Sequence, residues 1–256
     1  MRIRRIRAIA ALAAAAFALT GCTVPVTAAA EPTRTLTVFA AASLGGTFTA
    51  LAAAFEAAHP GVRVSLVFDG SSGLASQIVE GAPADVFAAA NLVTMQSVVD
   101  AGLADKPETF ASNVLEIATA PGNPAGISSF ADLADPGLVL VVCAPEVPCG
   151  AATVAIETAT GVALRPASEE NSVTDVLGKV TSREADAGLV YASDVLSAGD
   201  AVTGIPFPEA EGAVGEYPIA ALREGPQPAL AAAFVEFILG TEAQAQLAAA
   251  GFRPAP

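Results

Sequence analysis

The apolar positions of this chain follow two periods in turn. The runs LTVFAA (36–41), VRVSLVF (62–68), ADVFAAA (84–90) and NVLEIATA (113–120) are short and dense in apolar residues and read as strands. Between them the period lengthens. Phe48, Leu51 and Phe55 recur at helical spacing within 44–59, and Pro60-Gly61 stops the pattern. Helices are also predicted over 74–80 and 92–101. A second set follows, with helices over 130–135, 150–161 and 173–184 and strands over 138–144, 187–193 and 216–222. Two helices, 228–239 and 242–250, close the chain. This alternation predicts an α/β protein of two lobes, each a mostly parallel sheet flanked by helices. One lobe is expected to hold 35–114 and 220–256, the other 115–219, with two crossings between them. Ligands in such folds sit at the carboxyl ends of the strands, in the cleft.

The first residues stand apart from this pattern. Arg2, Arg4, Arg5 and Arg7 precede an apolar stretch, 9–19, too short for a lasting membrane span. It ends in LTGC (19–22), which resembles a bacterial lipobox. Residues 1–22 then read as a lipoprotein signal peptide, Cys22 as the lipidated residue and 23–34 as a tether. A plain signal peptide cut near 28–30 is the other reading. The protein is thus expected to be exported and held on the outer face of the cytoplasmic membrane.

Charge narrows the partners. The chain has 12 basic and 26 acidic residues, and four of the basic ones leave with the signal, so the mature chain holds 12 − 4 = 8 against 26, net −18. That argues against nucleic acid or an anionic membrane surface as partner. With Cys22 taken, Cys143 and Cys149 remain, flanking the loop CAPEVPC. Two nearby cysteines in an exported chain favour a disulfide. Metal binding is the rival, and it lacks histidine support because His59 is the sole histidine.

Catalytic chemistry is poorly represented. There is no GxSxG, Walker loop, GxGxxG or HExxH, and no serine with an evident base. His59, before Pro60-Gly61, reads as a capping or surface residue. Ferric iron would want several hard ligands, and Tyr191 and Tyr217 are the only tyrosines. No enzyme is expected, and no cofactor. Two serines remain conspicuous. Ser43 and Ser71 each stand where an apolar strand hands over to a helical pattern. The first turn of a helix has unpaired N–H groups and a partial positive charge, so a hydroxyl there could add a donor for an anion. A plain helix cap is the other reading, and both stand open at this point.

Six segments together carry a resemblance: TVFAAASL (37–44), the GSS of FDGSSGLA (68–75), GAPADVFAAAN (81–91), VPCGAATVA (147–155), GLVYASD (188–194) and EYPIAAL (216–222). In this order they resemble the molybdate-binding proteins of ABC importers, from about residue 36 to 252. The resemblance implies a type II periplasmic-binding-protein fold that closes on molybdate or tungstate and delivers it to a permease. A monomer suits a protein that must dock as one copy, and the resemblance also implies a ligand set. Ser43 and Ser71 would give hydroxyls, with Ser72 as the alternative to Ser71. Cys149 and Val173 would give backbone amides, and Tyr191 a phenol. Molybdenum would be present only as the oxyanion. Two features depart from the family pattern. Asp69 stands beside the second serine turn, where a carboxylate would repel a dianion unless it turns away or caps its own backbone. The cysteine pair would brace the loop that presents the Cys149 amide.

Overall fold

The computed structural model describes residues 34–256. The expected signal segment 1–22, with Cys22, and tether residues 23–33 lie outside the described residues. Arg34, expected to end the tether, instead opens a strand: its N–H donates to the Gly61 carbonyl (3.2 Å) and it lies opposite Val62.

The strands are β1 (Arg34–Ala41), β2 (Val62–Asp69), β3 (Val86–Ala88), β4 (Glu108–Asn113), β5 (Leu115–Thr119), β6 (Leu140–Cys143), β7 (Ser168–Glu170), β8 (Ala187–Tyr191), β9 (Thr203–Ile205) and β10 (Gly215–Ala221). The helices are α1 (Gly45–Ala58), α2 (Ser71–Val79), α3 (Leu92–Asp100), α4 (Pro148–Thr160), α5 (Val173–Thr181), α6 (Ala192–Ala198), α7 (Pro228–Leu239) and α8 (Thr241–Ala249). None is long and apolar enough to cross a membrane.

The strands form two five-stranded sheets, ordered β2-β1-β3-β10-β4 and β7-β6-β8-β5-β9. Both have the same plan. Three parallel strands are followed by one antiparallel strand, and that strand is the one next to a crossing. The first crossing is abrupt, since only Val114 separates β4 from β5. The return comes earlier than the expected boundary at 220. All of β10 pairs in the first sheet, beginning with Gly215 opposite Asn113. Pro218 within β10 breaks the register against β4, the position a proline tolerates in a sheet.

Apolar period explains most elements. In β1, Leu36, Val38 and Ala40 face one core, with Phe48 and Phe55 of α1 and Phe234 of α7. Phe39 faces the other, with Leu74 and Phe87. A strand covered on both sides reads as one apolar run. The elements that the pattern does not announce are β4, whose sequence ETFASN is mostly polar, the three-residue strands β7 and β9, and α6. α2 also begins at Ser71 rather than 74, taking in the serine turn.

One buried carboxylate ties the first sheet to the end of the chain. Asp85 is fully buried and accepts the Thr37 N–H at 2.7 Å and the Gln227 N–H at 2.6 Å. Gly225 allows the approach, since a Cβ there would lie 2.8 Å from the Asp85 Cα. Asp85 thereby fixes β1 against the segment that starts α7. Asp85→Ala leaves two buried donors unpaired, and chemical denaturation of the mature chain should show a loss of about 3 kcal/mol.

Candidate functional site

Five handovers from strand to helix converge. After β1, a single 3-10 turn, Ala42–Leu44, carries Ser43 into α1. After β2, Gly70 caps α2 and Ser71 is its first residue. After β6, Val147 caps α4, Pro148 comes first and Cys149 next. After β7, Ser172 caps α5 and Val173 is its first residue. β8 ends at Tyr191, which caps α6. Ser43, Ser71, Cys149, Val173 and Tyr191 all line one small cavity of about 10 Å³, together with Ala41, Ala42, Gly70, Ala90, Val147 and Pro148. The two serines come from the first sheet's turns, and the other three from the second's.

Neither serine is a helix cap. The caps before α2 and before the Ser43 turn are Gly70 and Ala41, and neither makes a side-chain bond. Ser71, 1 % exposed, accepts the Ala90 N–H through its Oγ at 3.0 Å. Ser43 Oγ is paired with the Tyr217 hydroxyl at 2.9 Å. Ser72 takes another role: its hydroxyl donates to the Glu146 carbonyl at 2.5 Å, from α2 across to the loop before α4. The walls touch nearby as well. A Cβ on Gly70 would lie 2.0 Å from the Asn171 carbonyl oxygen, so only glycine permits this approach.

The loop that presents Cys149 is closed covalently. Cys143 at the end of β6 and Cys149 in the first turn of α4 form a disulfide, with Cα atoms 5.6 Å apart. Gly150 completes the tight return, because a Cβ there would lie 1.9 Å from the Ala144 carbonyl oxygen. Asp69 turns onto its own backbone, its Oδ1 accepting the Gly70 N–H at 2.7 Å. His59 stacks on Phe55 with centroids 4.0 Å apart, and its Nδ1 lies 2.9 Å from the Phe55 carbonyl, far in role from this cavity.

The electrostatics of the site are those of neutral donors. Burial pushes the Tyr191 phenol well above its ordinary range. The Asp194 carboxylate pushes it further, and the Tyr217 hydroxyl only partly offsets this. Burial likewise raises the Tyr217 phenol, with Tyr191 and Asp194 adding to it and the Ser43 and Asn113 contacts opposing. Both phenols therefore keep their protons at any physiological pH. Tyr191 is 2 % exposed; the Tyr217 hydroxyl lies close enough to favour its charged form, yet no partner among the described residues meets hydrogen-bond geometry at the Tyr191 hydroxyl. Sequence reasoning missed Tyr217 and Asp194. Tyr217 lies in EYPIAAL, which reads as strand alone, and Asp194 lies in GLVYASD, three residues past the tyrosine.

The family of bacterial extracellular solute-binding proteins matches residues 36–253. The chain belongs to that family. Its members bind solutes for ABC transporters outside the cytoplasm, and the chain is a binding protein rather than an enzyme. It is 52% identical over 236 residues to the molybdate-binding protein ModA of Mycobacterium tuberculosis H37Rv, covering 91% of this chain and 90% of that one. Among solved structures, the periplasmic molybdate-binding protein of Azotobacter vinelandii matches with a TM-score of 0.76 at 24% identity, covering 86% of this chain and 100% of that one. The sulfate-binding protein SubI of Mycobacterium tuberculosis H37Rv matches with a TM-score of 0.78 at 21% identity, covering 86% and 87%. The two structural likenesses show the same fold.

The unpartnered phenol makes a prediction about the ligand-free chain. A tyrosine whose hydroxyl serves the fold loses stability on truncation. Tyr191→Phe removes an unsatisfied buried group instead, so thermal or chemical unfolding without ligand should show no loss and a gain of about 1 kcal/mol.

Proposed function

We propose that this protein captures molybdate, with tungstate as a second ligand of the same shape and charge, and passes it to the permease of an ABC importer. The observation that carries this reading is the buried, unpartnered hydroxyl of Tyr191, a residue that lines one cavity with Ser43, Ser71 and the first turns of α4 and α5. A buried hydroxyl without a partner costs roughly 1–3 kcal/mol, which a bound acceptor would recover.

Each wall has a donor to give. Ser71 Oγ already accepts the Ala90 N–H, which leaves its proton for the ligand. Ser43 gains the same freedom when the protonated Tyr217 phenol donates to its Oγ. Cys149 and Val173 stand in the first turns of α4 and α5, where no carbonyl of the same helix can take their N–H groups. A site of donors alone suits an oxyanion that carries no proton. Phosphate at neutral pH retains one and asks for an acceptor. The net charge of −18 is no obstacle, because hydrogen bonds to an anion in a dry cleft are strong and act at close range. The name of the 52%-identical relative supports molybdate over sulfate. One chain supplies every wall of the cavity, which supports action as a monomer.

The first test is calorimetric titration of the mature chain with molybdate, tungstate and sulfate. Tight binding of the first two with sulfate silent is expected. Ser43→Ala and Ser71→Ala should each weaken molybdate by roughly ten- to a hundredfold, the worth of a hydrogen bond to a charged group. Sulfate binding alone would move the protein to another importer, and unchanged affinity in both variants would remove the serines from the site.

The N-terminal reading is also a proposal: Cys22 carries a lipid that holds the mature protein at the membrane. Cell fractionation of Cys22→Ala should find the protein released into the soluble extracytoplasmic fraction. Continued sedimentation with membranes would refute the anchor.

A further inference from the structure

Behind the cavity lies a second space. A groove of about 560 Å³ is lined by the start of α1 (Gly45, Gly46, Thr47), by Thr174 and Leu177 of α5, by α6 and by the end of α8. It shares Ala42 and Ser43 with the smaller cavity. Asp194 is the one charged residue on its lining, and it is 5 % exposed.

The placement of Asp194 is specific. Its Oδ2 accepts the Tyr191 N–H at 3.0 Å, so it grips the backbone of the residue that carries the unpartnered phenol. The ionisable groups that face it are Tyr191 from β8 and Tyr217 from β10, both neutral, and both lose acidity through its charge. The elements across the groove present Ser43, Thr47, Thr174 and Gln246, which carry no charge. No cation among the described residues compensates the carboxylate. Burial accordingly pushes its pKa up to about 7, the Tyr191 N–H opposing only in part.

We propose that Asp194 is a positioning residue for Tyr191 whose carboxyl takes up a proton when a doubly charged oxyanion enters the adjoining cavity. This rests on the oxyanion reading given above. A dianion on one side of Tyr191 and a carboxylate on the other repel through a buried, poorly screened path. Protonation relieves the repulsion and keeps an oxygen available to accept the Tyr191 N–H. No other bond forms or breaks; the proton comes from solvent through the groove.

The sign of the effect follows from linkage. Ligand binding raises the pKa of Asp194 above its ligand-free value near 7. Below that value the carboxyl is already protonated, and affinity is at its plateau with little proton uptake. Above it, binding draws in up to one proton, and affinity falls by as much as about tenfold per pH unit until the ligand-bound pKa is passed.

Calorimetry of the mature chain with molybdate, in pairs of buffers of different ionisation enthalpy at pH 6 and pH 8, reads the uptake directly. Expected is little uptake at pH 6, a substantial fraction of one proton at pH 8, and weaker binding at pH 8. Asp194→Asn keeps an acceptor for the Tyr191 N–H and cannot titrate, so its uptake should vanish and its affinity stay level between the two pH values. Absent uptake at pH 8 in the unaltered chain overturns the inference without needing the variant. Equal uptake in Asp194→Asn also overturns it and assigns the proton elsewhere. Binding without proton linkage would leave the oxyanion reading standing. A folded chain that binds no molybdate at pH 6 overturns that reading and this inference together.

Discussion

Parallel strands and the helices that follow them impose one constraint on everything else in this protein. Each strand must end where its helix begins, and the first turn of that helix holds N–H groups that no carbonyl of its own can accept. In a sheet where several strands run the same way, those turns gather on one edge. Here β1 and β2 bring the Ser43 and Ser71 turns to one side of the cavity, and β6, β7 and β8 bring Cys149, Val173 and Tyr191 to the other. An edge built this way offers donors without committing a single formal positive charge, which is how an acidic chain can face an anion.

The rest of the molecule serves to hold those turns in place. Asp85 pins β1 to the start of α7, so the first sheet is closed by residues from opposite ends of the chain. The Cys143–Cys149 disulfide and the side-chain-free Gly150 hold the α4 turn in one shape. A loop ordered in advance loses less freedom when a ligand arrives. Gly70, pressed on Asn171, and Ser72, bonded to Glu146, bring the walls into contact around the cavity. The serine pair in the GSS turn thus divides its labour: Ser71 lines the cavity, and its neighbour joins the walls.

Tyrosines set the polarity of the interior. Tyr191 and Tyr217 stack edge to face, with centroids 5.8 Å apart. Burial and the nearby Asp194 keep both phenols protonated, and so both remain donors. Among the described residues, the sole uncompensated charge in this region is Asp194 itself, a carboxylate set behind a donor. That arrangement strengthens the hold on the Tyr191 backbone and opposes an anion in front of it, and the two effects are separable only by protonation.

The alternation of apolar period announced most of this fold. Runs such as 36–41 and 62–68 announced strands, and Pro60-Gly61 the end of a helix, while only the structure shows that β1 is buried and β2 is an edge strand exposed on alternate positions. The serine turns were legible because a strand-to-helix handover is a local event. The family pattern located Cys149, Val173 and Tyr191, which periodicity alone would have left as ordinary helix starts and a strand end. The short strands β7 and β9 and the mostly polar β4 escaped notice, because they are held by ladder bonds to neighbours rather than by any pattern of their own. That neither Ser43 nor Ser71 is a helix cap also lay beyond the sequence. It turned on which groups came within 3.0 Å of each hydroxyl, and those are Tyr217 and Ala90, 174 and 19 residues away in the chain. Asp85 and Asp194 read as two acids among 26 until burial gave one its two amide donors and left the other without a cation. Local period and turn chemistry act between near neighbours and are written in sequence. Burial, pairing and pKa depend on what the folded chain brings together, and only the tertiary structure decides them.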